Sequence, residues 1–408
     1  MITKIAGGVT AAPGFSAASA AAGIKYQNRT DMALIFSSVP CVSAGTFTTN
    51  VVKAAPVLWD RQLVYSGAMA RAVVVNSGIA NACTGQEGLE ICQKTAKAAA
   101  SILQIPEDSV LIGSTGVIGM QIPIERIEAG LSLLAADLED SIEAGTRASK
   151  AIMTTDTVNK ECAVQISLGG KTVTIGGMSK GSGMIHPNMC TMLGYITTDA
   201  AISKEMLQKA VSAIVTDSFN MISVDGDTST NDTLLVLANG LAGNPVIDSE
   251  GADYELFYAA LNEICTTLAK KMAADGEGAT KLIESIVTGA DTKEHARILA
   301  KSVICSNLTK AAVFGRDANW GRVLCALGYS GVTFDPEQVD LYFEADGKKM
   351  LIFTKGSAAQ YSEEEATQLL SSDHVKILSE MHMGTETATA WGCDLSFDYV
   401  RINADYRS

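Results

Sequence analysis

The middle of the chain carries the segment Met178-Ser-Lys-Gly-Ser-Gly-Met-Ile-His-Pro-Asn-Met-Cys190-Thr191-Met-Leu-Gly-Tyr-Ile-Thr-Thr-Asp-Ala200. Two glycines and Pro187 in its first half disfavour regular structure and predict a loop. The apolar run from Met192 to Ile196 predicts a buried strand. The segment therefore predicts a loop that brings the hydroxyl group of Thr191 to the beginning of a strand.

Thr191 becomes an N-terminal nucleophile if the peptide bond between Cys190 and Thr191 is broken. Its new α-amine would titrate near pH ~8 and can accept the proton of its own hydroxyl group. In this threonine variant of nucleophilic catalysis no separate base residue is needed. The same hydroxyl can make the cut by attacking the Cys190 carbonyl in an N-to-O acyl shift, after which water hydrolyses the resulting ester. The alternative is an ordinary threonine at a strand edge, and these residues alone favour it.

The segment Lys180-Gly-Ser-Gly-Met-Ile-x-Pro-Asn-Met-x-Thr191-Met-Leu closely resembles the self-cleavage segment of the ornithine acetyltransferase family. Enzymes of this family move an acetyl group from N-acetylornithine to glutamate in the cyclic arginine pathway. Other segments match the family in the same order along almost the whole chain, namely Asn76–Gly85, Ser114–Gly119, Met153–Asp156, Asp225–Asp232, Asp275–Lys281, Gly315–Arg322, Trp391–Ser396 and Ile402–Ser408. One departure is Cys190, where the family usually has alanine. Cysteine is small enough for the turn, so we expect cleavage to survive.

Composition indicates a compact globular protein whose partners are small molecules. Of the 408 residues, 47% are hydrophobic and only 19% are charged. The net charge of −14 argues against a nucleic-acid or anionic membrane surface, because both need basic patches. Nine cysteines without a C-x-x-C pair predict reduced thiols in a cytoplasmic protein. We expect no signal peptide, because the N-terminal stretch lacks a leucine-rich apolar region, and no membrane span, because no apolar run reaches about 18 residues.

Three local patterns resemble metal or phosphate motifs, but none of them fits. The run from Asp225 to Asp232 has threonine at the sixth position of a calcium loop and lacks the glutamate at the twelfth. Gly276 to Lys281 lacks the spacing of a phosphate loop. The histidines, at positions 186, 295, 374 and 382, have no metal-site or triad spacing. We therefore expect no metal and no cofactor.

Thr115 and Gly116 are the candidate oxyanion hole. The predicted strand Val110 to Gly113 runs into them, and such a junction can direct a threonine hydroxyl and a backbone N–H at one point. Taken alone, the pattern fits a plain glycine turn after a strand better. The family resemblance implies that Thr115 and Gly116 stabilise the tetrahedral intermediate.

The resemblance also implies a set of substrate-binding residues, namely Thr154, Thr155, Lys180, Thr191, Glu277, Asn403 and Ser408. A lysine suits a substrate carboxylate, and a glutamate on a glycine turn suits a substrate amine. A solvated lysine or glutamate is the ordinary alternative at each charged position. The sequence leaves open which of Thr154 and Thr155 contacts substrate, and what Gly315–Arg322 does.

The pattern of elements predicts an α/β (α+β) protein with stacked sheets covered by helices. Helices are predicted at 87–103, 124–138, 203–218, 253–272, 292–306 and 362–370. Strands are predicted at 32–36, 45–49, 70–75, 110–113, 192–196 and 233–237, in hairpins at 163–175 and 339–352, and at 386–403. The resemblance implies a four-layer α-β-β-α sandwich of the N-terminal-nucleophile type with a smaller C-terminal part.

The resemblance further implies that residues 1–190 become an α chain and residues 191–408 a β chain, associated as α2β2. The hypothesis for activity is ping-pong acetyl transfer through an acetyl-Thr191 intermediate, and the sequence leaves open whether acetyl-CoA is also a donor. Two alternatives remain. One is a threonine N-terminal-nucleophile hydrolase of the aminopeptidase type, which would pass the acyl group to water. The other is a non-catalytic amino-acid-binding protein, which would stay uncut.

Overall fold

The computed structural model describes residues 1–186 and 192–404. These residues form two compact units. The first unit comprises residues 1–181, 192–220 and 228–268, and the second comprises 182–186, 221–227 and 269–404. Within these ranges no helix combines the length and the apolarity that a membrane crossing requires. Every described cysteine is a free thiol, as the sequence predicts.

Strands and helices alternate along the described chain. The strands are β1 (Thr3–Ile5), β2 (Phe15–Ala20), β3 (Met32–Phe47), β4 (Ala70–Asn76), β5 (Val110–Ser114), β6 (Lys160–Leu168), β7 (Lys171–Lys180), β8 (Leu193–Thr198), β9 (Ile222–Ser223), β10 (Thr233–Ala238), β11 (Leu282–Ala290), β12 (Asp340–Ala345), β13 (Lys348–Thr354), β14 (Ser357–Ala358), β15 (His374–Glu380) and β16 (Glu386–Cys393). The helices are α1 (Ala55–Ser66), α2 (Gly85–Leu103), α3 (Ile124–Ala136), α4 (Ile142–Ala151), α5 (Lys204–Asp217), α6 (Ala252–Ala274), α7 (Lys293–Cys305), α8 (Asn307–Phe314), α9 (Trp320–Gly328), α10 (Glu363–Leu369) and α11 (Phe397–Ala404).

One sheet runs through the first unit in the order β1-β6-β7-β8-β10-β3-β4-β5, with β2 paired to β3. The long strand β3 belongs to two parts of this sheet. We call β2, β4, β5 and the first half of β3 the first wing, and β1, β6, β7, β8, β10 and the second half of β3 the other wing. The first half of β3 pairs antiparallel with β2 and β4, and its second half pairs antiparallel with β10. The other pairs that matter for the site are parallel β4 with β5 and antiparallel β7 with β8.

The two wings pack face to face. Because successive side chains of a strand point to opposite faces, the first wing contributes alternate residues to two separate cores. Residues of one wing, such as Ile35, Val75 and Leu111, share a buried core with residues of the other wing, such as Met178 and Tyr195. The intervening residues of the first wing face a second core. That core contains side chains of α2 and α3, including Ile91, Cys92, Ile127 and Leu131.

Helices α5 and α6 cover the outer face of the other wing. The Gln208 side chain of α5 accepts a hydrogen bond from the Gly45 N–H at 3.1 Å and donates to the Gly45 carbonyl at 3.0 Å. A Cβ atom at Gly177 of β7 would lie 3.2 Å from Leu268 and 3.3 Å from Ile264 of α6. Together with α2 and α3 on the opposite side, these contacts confirm the four-layer α-β-β-α arrangement within the first unit.

The second unit is built on a separate sheet, in the order β14-β13-β12-β15-β11-β16-β9. Strands β11 and β15 are parallel, whereas β11 and β16 are antiparallel. Helix α7 packs on β11 and β16, and α10 packs on β12. This unit is the smaller C-terminal part that the sequence predicts.

Most predicted elements are confirmed, but the structure corrects several. The predicted strands 32–36 and 45–49 are the two halves of β3. The predicted strand region 386–403 ends at Cys393, and α11 follows it, begun by the Ser396 hydroxyl, which accepts a hydrogen bond from the Asp398 N–H at 3.2 Å. Helix α4, which was not predicted, has the Ser141 hydroxyl as its N-cap, accepting from the Ala144 N–H at 3.1 Å.

Candidate active site

Strands β7 and β8 hold the two ends of the predicted cleavage segment. They are adjacent and antiparallel, with Lys180 paired to Leu193. The predicted nucleophile Thr191, its neighbour Cys190 and the terminal Ser408 lie outside the described residues. The segment that contains the predicted cut thus leaves one buried strand and enters its immediate neighbour.

The predicted oxyanion residues follow β5, whose end lies beside the end of β4. Asn76 and Ser114 are paired in the parallel register of these strands. The Ser114 hydroxyl donates to Asn76 Oδ1 at 2.7 Å, and Asn76 Nδ2 donates to the Ile79 carbonyl at 2.9 Å. Hydrogen bonds between buried polar groups therefore fix both loops that leave the strands.

Gly116 stands where only glycine fits. Its φ angle is +132°, and a Cβ atom there would lie 2.2 Å from the carbonyl carbon of Gly78. The loop stays close to Gly78 because the Val117 N–H donates to the Gly78 carbonyl at 3.1 Å. The close backbone approach explains this glycine without reference to catalysis, and it also sets the position of the Gly116 N–H.

Asn231, from a third segment of the chain, hydrogen-bonds to the loop that follows β4 and to the last residue of β5. Its Nδ2 donates to the Ala80 carbonyl at 2.6 Å and to the Ser114 carbonyl at 2.8 Å. Asn231 lies in the family-matching segment Asp225–Asp232, but the sequence predicted no role for it. Its burial and its contacts appear only in the folded structure, where a buried amide needs hydrogen-bond partners.

Lys180, at the end of β7, reaches the predicted oxyanion residue Thr115. Its Nζ atom lies 3.2 Å from Thr115 Oγ1, and both residues are buried. An ammonium group has donors but no acceptor, so the Thr115 oxygen accepts this hydrogen bond. The proton of the Thr115 hydroxyl is then available for another acceptor, as an oxyanion hole requires.

Asp156 is a functional candidate that the sequence did not single out, although it lies in the family-matching segment Met153–Asp156. Its Oδ1 accepts from Lys160 Nζ at 2.6 Å and from the Gly181 N–H at 2.8 Å, and its Oδ2 accepts from the Thr154 N–H at 3.1 Å. Burial raises the pKa of the Asp156 carboxyl. Attraction to Lys180 and Lys160 and the accepted hydrogen bonds outweigh burial and lower this pKa to about 2.

The predicted substrate-binding pair Thr154 and Thr155 lies in the loop between α4 and β6, and both residues are half-buried. Arg29 donates to the carbonyls of Met153 at 2.8 Å and Thr154 at 3.0 Å. With the bond from the Thr154 N–H to Asp156, these contacts bring the backbone of Thr154 into one network with Lys180. Which threonine side chain contacts substrate stays a prediction.

In the second unit, the predicted residues Glu277 and Asn403 lie together. Asn403 Nδ2 donates to Glu277 Oε2 at 2.7 Å, and the Glu277 N–H donates to the Ser182 carbonyl at 2.9 Å. A Cβ atom at Gly183 would lie 2.3 Å from the Glu277 carboxyl carbon, so a glycine makes room for this buried carboxylate.

His186, five residues before Thr191 in the sequence, is held inside the second unit. Its Nδ1 lies 3.1 Å from the Ser223 hydroxyl and 3.5 Å from the Cys305 sulfur. Burial, and then repulsion by Lys301, lower the pKa of His186 to about 4. The imidazole is therefore neutral at pH 7 and is tied to β9 and α7.

One group that the sequence did not predict has the composition of a metal site. Asp340, Glu380 and His382 place one possible ligand atom each within 4.8 Å of one another. His382 Nε2 lies 2.9 Å from Asp340 Oδ2 at a partly exposed position, which a hydrogen bond between the two side chains explains. The expectation of no metal stays a prediction.

Comparison with known proteins places the chain in a family. The model of the ArgJ family matches residues 16–408. An arginine biosynthesis bifunctional protein ArgJ of Symbiobacterium thermophilum is 52% identical over 406 residues, which cover 99% of each chain. Arginine biosynthesis bifunctional protein ArgJ 1 of Clostridium acetobutylicum is 51% identical over 400 residues, 98% of this chain and 97% of that protein.

Among solved structures, an ornithine acetyltransferase from Mycobacterium tuberculosis in complex with ornithine is 39% identical. The match covers 47% of this chain and 100% of that chain, with a TM-score of 0.42. The family model and the full-length relatives support one conclusion. The chain belongs to the ArgJ family, and it is an enzyme of that family.

Proposed function

We propose that this enzyme transfers the acetyl group of N2-acetylornithine to glutamate, through an acetyl ester on Thr191. The observation that carries the proposal is the 3.2 Å contact between Lys180 Nζ and Thr115 Oγ1. Because Lys180 donates to the Thr115 oxygen, the Thr115 hydroxyl proton is left to donate to a substrate oxyanion, next to the Gly116 loop. The names of the full-length relatives, which assign them to arginine biosynthesis, support the same activity.

The enzyme first cuts itself between Cys190 and Thr191, which yields an α chain of residues 1–190 and a β chain of residues 191–408. The pairing of β7 with β8 supports an association that survives the cut, because one strand comes from each side of it. The assembly is an α2β2 heterotetramer in the cytoplasm, without nucleic-acid or membrane partners. The acidic net charge of −14 supports the absence of nucleic-acid and membrane partners.

Transfer proceeds in two half-reactions. The α-amine of Thr191 takes the proton of the Thr191 hydroxyl as its oxygen attacks the acetyl carbonyl of N-acetylornithine. The Thr115 hydroxyl and the Gly116 N–H stabilise the negative oxygen of the tetrahedral intermediate. The proton passes to the departing nitrogen, the C–N bond breaks, and ornithine leaves an acetyl ester on Thr191. The glutamate amine then attacks this ester, which gives N-acetylglutamate and restores Thr191.

Substrate recognition uses one positively charged and one negatively charged side chain of the enzyme. Lys180, with Thr154 or Thr155 beside it, binds a substrate carboxylate, and Glu277, held by Asn403, binds the ornithine amine. Thr191 and Ser408 complete the set. The word "bifunctional" in the relatives' names supports acetyl-CoA as a second acetyl donor. The reaction needs no metal or other cofactor, because the chain supplies both nucleophile and base.

The test is intact-mass spectrometry before and after brief incubation with N-acetylornithine. We expect two chains divided at Thr191, with about 42 Da added to the C-terminal one as the acetyl-enzyme. Glutamate should then remove the added mass and become acetylated. Release of free acetate instead would indicate the hydrolase alternative. One uncut chain without an adduct would refute the proposal and favour the binding protein.

A further inference from the structure

Asp156 is a buried carboxylate that the reaction described above does not use. The side chains of Asp156 and its partner Lys160 are both fully buried, with 0% of each exposed. The backbone N–H groups of Thr154 and Gly181 also donate to it. Its donors therefore come from its own loop, from β6 and from the residue after β7. The Asp156 carboxylate thus connects three segments of the first unit by hydrogen bonds.

The position of Gly181 matters because it follows Lys180 directly. Its hydrogen bond to Asp156, at 2.8 Å, fixes the backbone from which the Lys180 side chain extends. Attraction to Lys180 also lowers the pKa of Asp156, so the carboxylate and the ammonium group are coupled by charge as well as through the Gly181 backbone. From this fixed corner the ammonium group reaches Thr115 Oγ1 at 3.2 Å.

We propose that Asp156 is a positioning residue for acetyl transfer, which acts on the oxyanion residue Thr115 through Lys180. Its carboxylate holds the Lys180–Gly181 corner. Lys180 then donates to the Thr115 oxygen and leaves the Thr115 proton for the substrate oxygen. This inference rests on the proposed acetyl transfer. In this proposal Asp156 acts through Lys180 and not on the substrate itself.

The test is a double-mutant cycle with Asp156→Asn and Thr115→Val, measured as the rate of acetyl addition to the cleaved enzyme in a single turnover. Asparagine keeps the size and one accepting oxygen but removes the charge. We expect Asp156→Asn alone to be cleaved and to slow acetylation by about tenfold or more. In the Thr115→Val background the same change should cost less than about threefold, because residues that act through one contact are not additive.

Two further variants separate positioning from stability. Asp156→Asn leaves Lys160 without its carboxylate, so Asp156→Asn/Lys160→Met removes the buried pair as a unit, a change that proteins often tolerate. It should show the same slow acetylation. Asp199→Asn is the matched control. Asp199 is also buried and accepts from the Thr174 N–H at 2.7 Å, at the opposite end of β7 from Lys180. Its acetylation rate should stay within about twofold of the wild type.

The outcomes distinguish this inference from the function on which it rests. A wild-type enzyme that gains no acetyl group would refute the proposed function and the inference together. Equal losses from Asp156→Asn in both backgrounds, or an equal loss from Asp199→Asn, would refute the inference alone. So would an uncut Asp156→Asn chain, because the proposal places Asp156 in transfer and not in cleavage.

Discussion

Lys180 and Leu193 are backbone partners in adjacent antiparallel strands, although the predicted cleavage site lies between them in the sequence. Strand β8 is also hydrogen-bonded to β10, and β10 to β3. The strands that follow the predicted cut are therefore inserted between strands that precede it. Both parts of the chain are needed to complete one sheet, so we expect folding to come before the proposed cleavage.

We predict from this strand order that the two chains stay together after the cut. A purified sample should show two bands on a denaturing gel but elute as one species from a sizing column under native conditions. Separation should require a denaturant, because it would break the hydrogen bonds of β8 to β7 and of β10 to β3. Two native species of different size would contradict this prediction.

Thr191→Ala should give one intact chain of 42.7 kDa. The variant lacks the hydroxyl that attacks the Cys190 carbonyl, so neither the cut nor the acetyl ester can form. Mass spectrometry and a transferase assay check both losses together. Cys190→Ala is the matched control, because it changes the other side of the same bond and should still be cleaved. A cleaved or active Thr191→Ala variant would rule out Thr191 as the nucleophile.

The sequence predicted local elements and chemistry better than the contacts between them. The hairpin at 163–175 was predicted because alternating residues flank Gly169-Gly170, a local signal. Residue patterns and the family resemblance also indicated Lys180 and Thr115. Their contact joins residues 65 positions apart in the sequence, and no local pattern encodes such a distance.

Asp156 shows why other parts of the site were missed. Next to two threonines it reads as an ordinary polar loop residue, and only the fold brings Lys160 and Gly181 to its carboxylate. Helix α11 was missed for a different reason. Its cap, Ser396, and its exposed apolar residues Phe397 and Val400 leave no clear helical periodicity in a segment of eight residues.

Gly116→Ala should reduce the rate of acetyl transfer by on the order of 100- to 1,000-fold, the usual effect of losing one oxyanion donor. The added Cβ atom would lie 2.2 Å from the Gly78 backbone, so the loop must move and carry the Gly116 N–H with it. Steady-state kinetics with N-acetylornithine and glutamate measure the effect.

Gly119→Ala is the control for Gly116→Ala. Gly119 lies in the same loop and also has a positive φ angle, +84°, but an added Cβ atom would meet nothing within 4 Å. The substitution also puts a side chain at a positive φ angle, which costs about 1–2 kcal/mol, but it causes no collision. It should therefore retain transferase activity. Equal losses in the two variants would mean that strain, and not the position of the Gly116 N–H, causes the effect.

His186 should make the protein less stable as the pH falls from about 6.5 to about 4. Burial, with repulsion by Lys301, lowers the pKa of this imidazole to about 4 in the folded protein. Between the two pKa values the unfolded chain binds more protons, so the free energy of unfolding falls with falling pH. Because His186 is only partly buried, we expect an effect on the order of 1–2 kcal/mol.

Urea denaturation of the wild type and of His186→Gln, at several pH values between 4 and 7, measures this effect. Glutamine keeps a hydrogen-bonding side chain near Ser223 and Cys305 but does not titrate. The variant should show a flatter dependence of stability on pH across this window. Parallel curves for the two proteins would show that the low pKa of His186 does not contribute to acid sensitivity.

Glu277→Gln should weaken the binding of N-acetylornithine more than that of glutamate. In the proposed function the Glu277 carboxylate pairs with an amine of the ornithine substrate, and glutamate has no side-chain amine to pair with it. Glutamine can still accept the hydrogen bond that Asn403 Nδ2 donates at 2.7 Å, so the local structure should persist. Loss of one charged hydrogen bond, about 1.5–3 kcal/mol, corresponds to a KM for N-acetylornithine raised roughly 10- to 100-fold.

Asn403→Ala, which removes the neighbour but keeps the charge, should raise this KM less. Equal increases in the KM values of both substrates would contradict the assignment of Glu277 to the amine.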